Sequence, residues 1–252
     1  MASATQSLCR LSSGSAANAG QHWSLLARRD WLPDPKMNAI GAPLDVQMLR
    51  KGLNAFLNQK DAAGLRLGSN KVGVYAFYDY DGEPIYVGQT RESLGQRISR
   101  HLTNQRTDAV AMNVLDPYEV AEIEVWPLPG ELAGRLNAAE HTVFQKLLSE
   151  SAFGAVLNEA VPPDAGEIDL PASYRGRIVP DEVFELRQHP DTRIARRAQT
   201  IANLARVISE RNVSQGLRTT LLTQARRLED LSRRRLEELG IDPDWRGAGS
   251  PE

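Results

Sequence analysis

Two tyrosines stand in short glycine-bearing runs, Gly73-Val74-Tyr75 and Tyr86-Val87-Gly88, with Tyr86 eleven residues after Tyr75. Both runs are rich in β-forming residues and flank Tyr80-Asp81-Gly82-Glu83, where Asp-Gly is a strong hairpin signal. Tyrosines at matching places on adjacent antiparallel strands meet across one face. Gly73 and Gly88 remove side chains beside them and permit close approach of a backbone or a ligand. Arg97 and His101 follow, four residues apart, and leave one helix in the same direction. Phenols, a guanidinium and an imidazole converging on one face suit a phosphodiester. The guanidinium offers forked donors to phosphate oxygens, and a phenol or an imidazole can move a proton.

Taken singly, each residue has a plain structural use: the tyrosines as strand packing, Arg97 as a solvated helix charge, His101 as a cap or surface histidine. Taken in order, together with Glu140 in a later helix and Asn158 in Leu157-Asn158-Glu159-Ala160, the set resembles the GIY-YIG nucleases over about Lys71 to Ala160. That resemblance implies hydrolysis of a nucleic-acid phosphodiester with one divalent cation, Mg²⁺ or Mn²⁺. Tyr75 would be the general base, Tyr86 would position water or the phosphate, and Arg97 would balance charge on the phosphoryl oxygens. Glu140 would be the single protein ligand of the cation. His101 would orient the tyrosine or the phosphate, and Asn158 would be a hydrogen-bonding residue that either supports the site or serves the structure. An ordinary phenol, with a pKa near ~10, is a poor base at neutral pH and needs nearby cations. Gln89 follows the second motif where some relatives carry a lysine, which leaves the deprotonation route open. Arg100 and Arg106 are candidate contacts to DNA phosphates, with a solvated face as the alternative. His141 adjoins Glu140, but neighbouring helix residues diverge by ~100°, so it is not counted as a ligand.

The elements that must hold these residues are legible from periodicity. Leu44, Val46, Leu49, Leu53, Phe56 and Leu57 recur at helical steps. The two tyrosine runs form a hairpin, and Thr90 or Ser93 can cap a helix running toward Leu102. A third strand is expected at Val120–Trp126 and a helix near Glu131–Leu148. Beyond a proline-punctuated segment come two helical runs, Thr192–Arg211 and Gln215–Leu239. The expected fold class is therefore α/β of the α+β kind: a small antiparallel three-stranded sheet flanked by helices, with a C-terminal helical hairpin. The chain divides into a disordered extension (1–40), a helical lead-in (41–70), the nuclease-like domain (71–160), a proline-rich linker (161–190), a basic helical hairpin (191–240) and a disordered tail (241–252).

The whole chain of 252 residues carries a net charge of −2, so any basic surface must be local. From Asp191 to Leu239 there are 11 arginines against 6 acids. Arg193, Arg196, Arg197, Arg206, Arg211, Arg218, Arg226, Arg227 and the Arg233–Arg235 run could grip DNA phosphates, support a homodimer through the leucine stripe, or simply be solvated. No stretch approaches the ~18 apolar residues of a membrane span. Cys9 is the single cysteine, which excludes an internal disulfide and a Cys-based zinc site and suits a cytoplasmic location. The segment before Met37 has no acid before Asp30; it reads as a disordered tail, an extension upstream of a start at Met37, or a transit peptide. The expected function is a metal-dependent endonuclease acting on nucleic acid, with double-stranded DNA as the expected partner. The alternatives are an inactive nucleic-acid-binding module and a helical-hairpin interaction protein.

Overall fold

The computed structural model describes residues 44–103, 114–158 and 160–244. The expected extension at 1–40, Arg106 and the residues from 245 onward lie outside these segments.

Strand β1 (Gly73–Tyr78) is buried at every position, as a strand covered on both faces must be. It lies between β2 (Pro84–Thr90) and β3 (Glu122–Pro127), and β4 (Tyr174–Arg177) adds to the far side of β3. All pairs are antiparallel. The β1–β2 turn is fastened by its own residues. Asp79 Oδ1 accepts from the backbone N–H of Asp81 and Glu83 at 2.9 and 3.1 Å, and Gly82 takes a φ of +75° that a side chain would resist.

The alternation of β1 sends its side chains into two cores. On one face Tyr75, Phe77, Ile123 and Val125 pack with Leu49, Leu53 and Phe56 of α1 (Leu44–Leu57) and with Leu94 and Ile98 of α2 (Leu94–Leu102). On the other, Val74, Ala76, Val87 and Trp126 pack with Ala139, Val143 and Leu147 of α3 (Leu136–Glu150). The segment 41–70 is thus more than a lead-in: its helix covers one face of the sheet.

The expected three-stranded sheet has four strands. The fourth comes from the segment expected to be a linker, 161–190. Tyr174–Arg177 shows no apolar alternation; its place is set by backbone pairing to β3 and by Gly176, where a Cβ would come 2.9 Å from the Phe56 ring. The same segment then continues into a helix, α4 (Asp181–Gln188).

Helices α5 (Pro190–Glu210) and α6 (Gln215–Glu238) form the expected hairpin, but several of its arginines turn inward rather than to solvent. Asp79 Oδ2, at the end of β1, accepts from Arg193, Arg197 and Arg227 at 3.1, 2.7 and 2.6 Å, and all four side chains are almost wholly buried. Glu119 takes Arg197 at 3.2 Å, Asp81 takes Arg193 and Arg234, and Asp116 takes Arg196. Three guanidinia therefore meet two carboxylates, Asp79 and Glu119, in the interior. Such charges must be paired to be tolerated there. Leu204, Leu217 and Leu231 of the leucine stripe are buried within the chain. Among the described residues no helix is long and apolar enough to cross a membrane.

Candidate active site

Register decides which side chains meet. Tyr75 stands opposite Gly88 and Phe77 opposite Tyr86, so the two tyrosines share one face of the β1–β2 pair. Their ring centroids are 6.2 Å apart. His101, on the last turn of α2, completes the group: its ring lies 5.7 Å from that of Tyr75 and 5.2 Å from that of Tyr86, and its Nε2 is 3.4 Å from Tyr75 Oη. Tyr75 is fully buried, whereas Tyr86 retains some exposure.

Gly88 makes the room. A Cβ there would stand 2.6 Å from Tyr75 Cζ and Oη and 2.9 Å from Tyr86 Cε1, so only glycine lets the phenol cross the neighbouring strand. Gly73 serves a different purpose. A Cβ there would meet the Trp126 carbonyl oxygen at 2.8 Å and the Leu94 methyls at 3.2 Å, so it lets β3 and α2 close on the start of β1.

Helix α2 begins at Ser93, whose hydroxyl accepts from the Gln96 N–H at 3.1 Å, as the sequence suggests for one of its two candidate caps. That start sets the helical phase of Arg97. Its guanidinium is half-buried and feels the charges of both Glu92 and Glu140. Arg97 Nε is buried with no hydrogen-bond partner among the described residues. A buried donor left unmade costs free energy, and sites that await a ligand tolerate that cost. Arg100 points elsewhere and pairs with Glu92 through two contacts, at 2.7 and 2.8 Å.

Glu140 approaches from the other face of the sheet, on α3. Burial pushes its carboxyl above the usual carboxylate range, and a hydrogen bond from Gln89 and the charge of Arg97 pull it part of the way back. Gln89 also donates to Asn137 at 3.1 Å, while its Oε1 is buried without a partner. The sheet therefore divides the expected set: the phenols and His101 on one side, Glu140 and Gln89 on the other, with Arg97 sensing Glu140 across the division. Gln89 and Asn137 were not counted as site residues from sequence. Gln89 lies two positions beyond Val87 on the same strand, and Asn137 one helical turn before Glu140.

Asn158 is placed outside this group. Its side-chain amide donates to the Val87 carbonyl at 2.8 Å and accepts from the Val87 N–H at 3.0 Å, as a paired strand would. It closes the open edge of β2, an arrangement that suits the structural one of its two expected roles. His141 is the next residue after Glu140 on α3. It faces the 161–170 arm, 3.1 Å from Gln145 Nε2 and accepting from the Ala165 N–H at 3.3 Å.

Among the described residues no group of three or more His, Cys, Asp and Glu could wrap a metal ion. A cation at Glu140 would be held by one carboxylate and keep most of its waters, which is how Mg²⁺ behaves. The orphaned Gln89 Oε1 beside it is a ready acceptor for such a water, so the donor set fits a hydrated hard cation.

No curated protein and no solved structure matches the chain. Residues 71–150 match the family of the GIY-YIG catalytic domain. With the paired tyrosine strands, the arginine helix and the carboxylate helix lying in that span, the chain carries a catalytic domain of the GIY-YIG nuclease family at residues 71–150.

Proposed function

We propose that the chain is a metal-dependent endonuclease that hydrolyses phosphodiester bonds in double-stranded DNA. The observation that carries this reading is Arg97: a half-buried guanidinium with an unmade hydrogen bond, one helical turn before His101 on α2 and within reach of the charge of Glu140. A phosphoryl oxygen supplies what Arg97 lacks, and the developing negative charge on that oxygen strengthens the bond in the transition state.

Tyr75 would take a proton from the attacking water, with His101 Nε2 beside its hydroxyl to orient it or share the proton. Tyr86, the more exposed of the two phenols, positions the water or the phosphate. Glu140 would hold Mg²⁺ or Mn²⁺, assisted by the Gln89 amide. The bound cation supplies Lewis-acid stabilisation of the phosphate charge. A cytoplasmic location belongs to the same reading and rests on the single cysteine. A homodimer through the C-terminal helices would need a face other than the buried leucine stripe.

Incubating the purified chain with plasmid DNA, with Mg²⁺ or with EDTA, tests the reading. Arg97→Ala and Glu140→Ala should each slow cleavage by about 10²-fold or more, the scale of removing one charge-stabilising group, with far smaller effects on thermal unfolding. Unaltered cleavage in either variant removes that residue from its role. A wild-type chain that binds but cuts no DNA or RNA points instead to a binding module.

A further inference from the structure

An open cleft of about 610 Å³ lies between α1, the short turn at Leu67–Ser69 and α2. Its floor is backbone. Gly68 and Gly95 approach so closely that a Cβ on Gly95 would stand 2.9 Å from the Gly68 carbonyl oxygen, and one on Gly68 would stand 3.1 Å from Leu57 Cβ. Its walls carry Asn54 and Asn58 from α1 and Ser99 from α2, whose side-chain polar groups have no partner among the described residues. They offer hydrogen bonds to whatever enters.

The cleft is also cationic, in a chain whose net charge is −2. Arg66 and Arg100 line it. Arg50 and Lys51, both exposed, sit one helical turn before Asn54 on the same stripe of α1 and have no ion-pair partner among the described residues. The one carboxylate in the lining, Glu92, is tied to Arg100 in an exposed pair. Exposed pairs are weak, so Arg100 can exchange that carboxylate for a phosphate.

The cleft adjoins the chemistry, because α2 forms its wall and also carries Arg97 and His101. The charge of Glu92 is felt by Arg97 as well as Arg100, and that of Arg100 by the Tyr75 phenol. The C-terminal hairpin, by contrast, spends Arg193, Arg196, Arg197 and Arg227 on internal carboxylates.

We infer that this cleft is the track along which the nucleic-acid backbone runs into the site. Arg50, Lys51, Arg66 and Arg100 take phosphates, and the amides of Asn54 and Asn58 hold sugar or base edges. The inference rests on the nuclease reading for its substrate class.

Binding tests it apart from cleavage. A short fluorescent DNA duplex is titrated, without divalent cation, with the full chain bearing Glu140→Ala, across about 50 to 200 mM salt. A triple variant, Arg50→Gln, Lys51→Gln and Arg66→Gln, alters exposed side chains only. It should weaken binding roughly tenfold or more and flatten the salt dependence by about 0.9 in log–log slope for each lost phosphate contact. A second triple variant, Arg211→Gln, Arg218→Gln and Arg226→Gln, removes hairpin arginines that have no ion-pair partner among the described residues; it should bind as its parent does. If the cleft variant keeps the parent's affinity and slope, or if only the hairpin variant weakens, the track lies elsewhere. A parent that shows no binding even at low salt overturns the inference. If Glu140-intact protein fails to cut while the cleft variant still loses affinity, the nuclease reading falls and the track stands.

Discussion

The Tyr75 phenol lies across the neighbouring strand directly over Gly88, where a Cβ would stand 2.6 Å from both its Cζ and its Oη. Tyr75 is wholly buried and closed in by Phe77, Tyr86 and His101, so it has no free volume into which to swing. Gly88→Ala should therefore displace the phenol or spread the β1–β2 pair. The expected stability cost is about 1–3 kcal/mol, as for other overpacked sites. Cleavage should fall further than that loss explains, because the displaced group is the proposed base. Thermal unfolding and single-turnover cleavage, run side by side, check this. An alanine variant with normal cleavage would show that the phenol position is not critical.

Asn158 should behave as a fastening and not as a reactive group. Asn158→Ala leaves the N–H and C=O of the buried Val87 without their partners, at roughly 1–3 kcal/mol for each unsatisfied group. Asn158→Asp keeps the acceptor for the N–H but sets a carboxylate oxygen against the Val87 carbonyl, so it should be no milder. Assayed well below their melting temperatures, both variants should retain most of their cleavage. A loss of cleavage without a loss of stability would return Asn158 to the chemistry.

Much of this was legible because it is local. The Asp-Gly turn declares the hairpin, alternation along β1 and β2 puts both tyrosines on one face, and leucine periodicity places α5 and α6 within two residues of their observed ends. The rest depends on partners far away in sequence. Tyr174–Arg177 becomes a strand through pairing to β3 and through the space Gly176 leaves for Phe56, neither of which a four-residue polar run announces. An excess of arginines in the hairpin looks like a surface until Asp79 is found 114 residues before Arg193. In the sequence Gln89 stands out only as a departure from the motif and Asn137 not at all, because an amide carries no charge signal, although their spacing from Val87 and Glu140 puts them on the right faces.

Glu140 can hold a cation only as the carboxylate. Because burial raises its pKa, the acid limb of cleavage should lie above the ordinary carboxylate range: activity is present above the folded-state pKa and lost as pH falls through it. Gln89→Ala removes a hydrogen bond that favours the carboxylate, so the limb should move to higher pH. Excess Mg²⁺, competing with the proton, should move it back. For stability the sign is opposite. A carboxyl whose folded pKa is raised costs stability above that pKa, and the cost fades as pH drops below it. Profiles of kcat/KM against pH at low and high Mg²⁺ check the first part. Coincident acid limbs in the wild type and Gln89→Ala would remove the amide from this role.

The hairpin of α5 and α6 should be inseparable from the nuclease domain, because Asp79 serves both. Its Oδ1 fastens the β1–β2 turn and its Oδ2 receives Arg193, Arg197 and Arg227. Removing one partner from a buried ionic cluster strands the others, at about 3–5 kcal/mol. Asp79→Ala should approach or exceed that, since it also unfastens the turn, while Asp79→Asn keeps a single acceptor, which can hold the turn but then sets its amide N–H against the guanidinia, so it should relieve only the turn's share of the cost. Arg227→Met should be costly alone but much less so when Asp79 is already Asn, a non-additivity that a double-mutant cycle reads directly. The pairs are shielded from solvent, so raising the salt concentration should not dissolve them as it would a surface bridge. Truncation after Gln188 removes all three arginines at once, leaving Asp79 and Glu119 without these partners and uncovering the core beneath the hairpin. The shortened chain should lose its cooperative melting transition. One that still melts as the full chain does would show that the hairpin is an appendage.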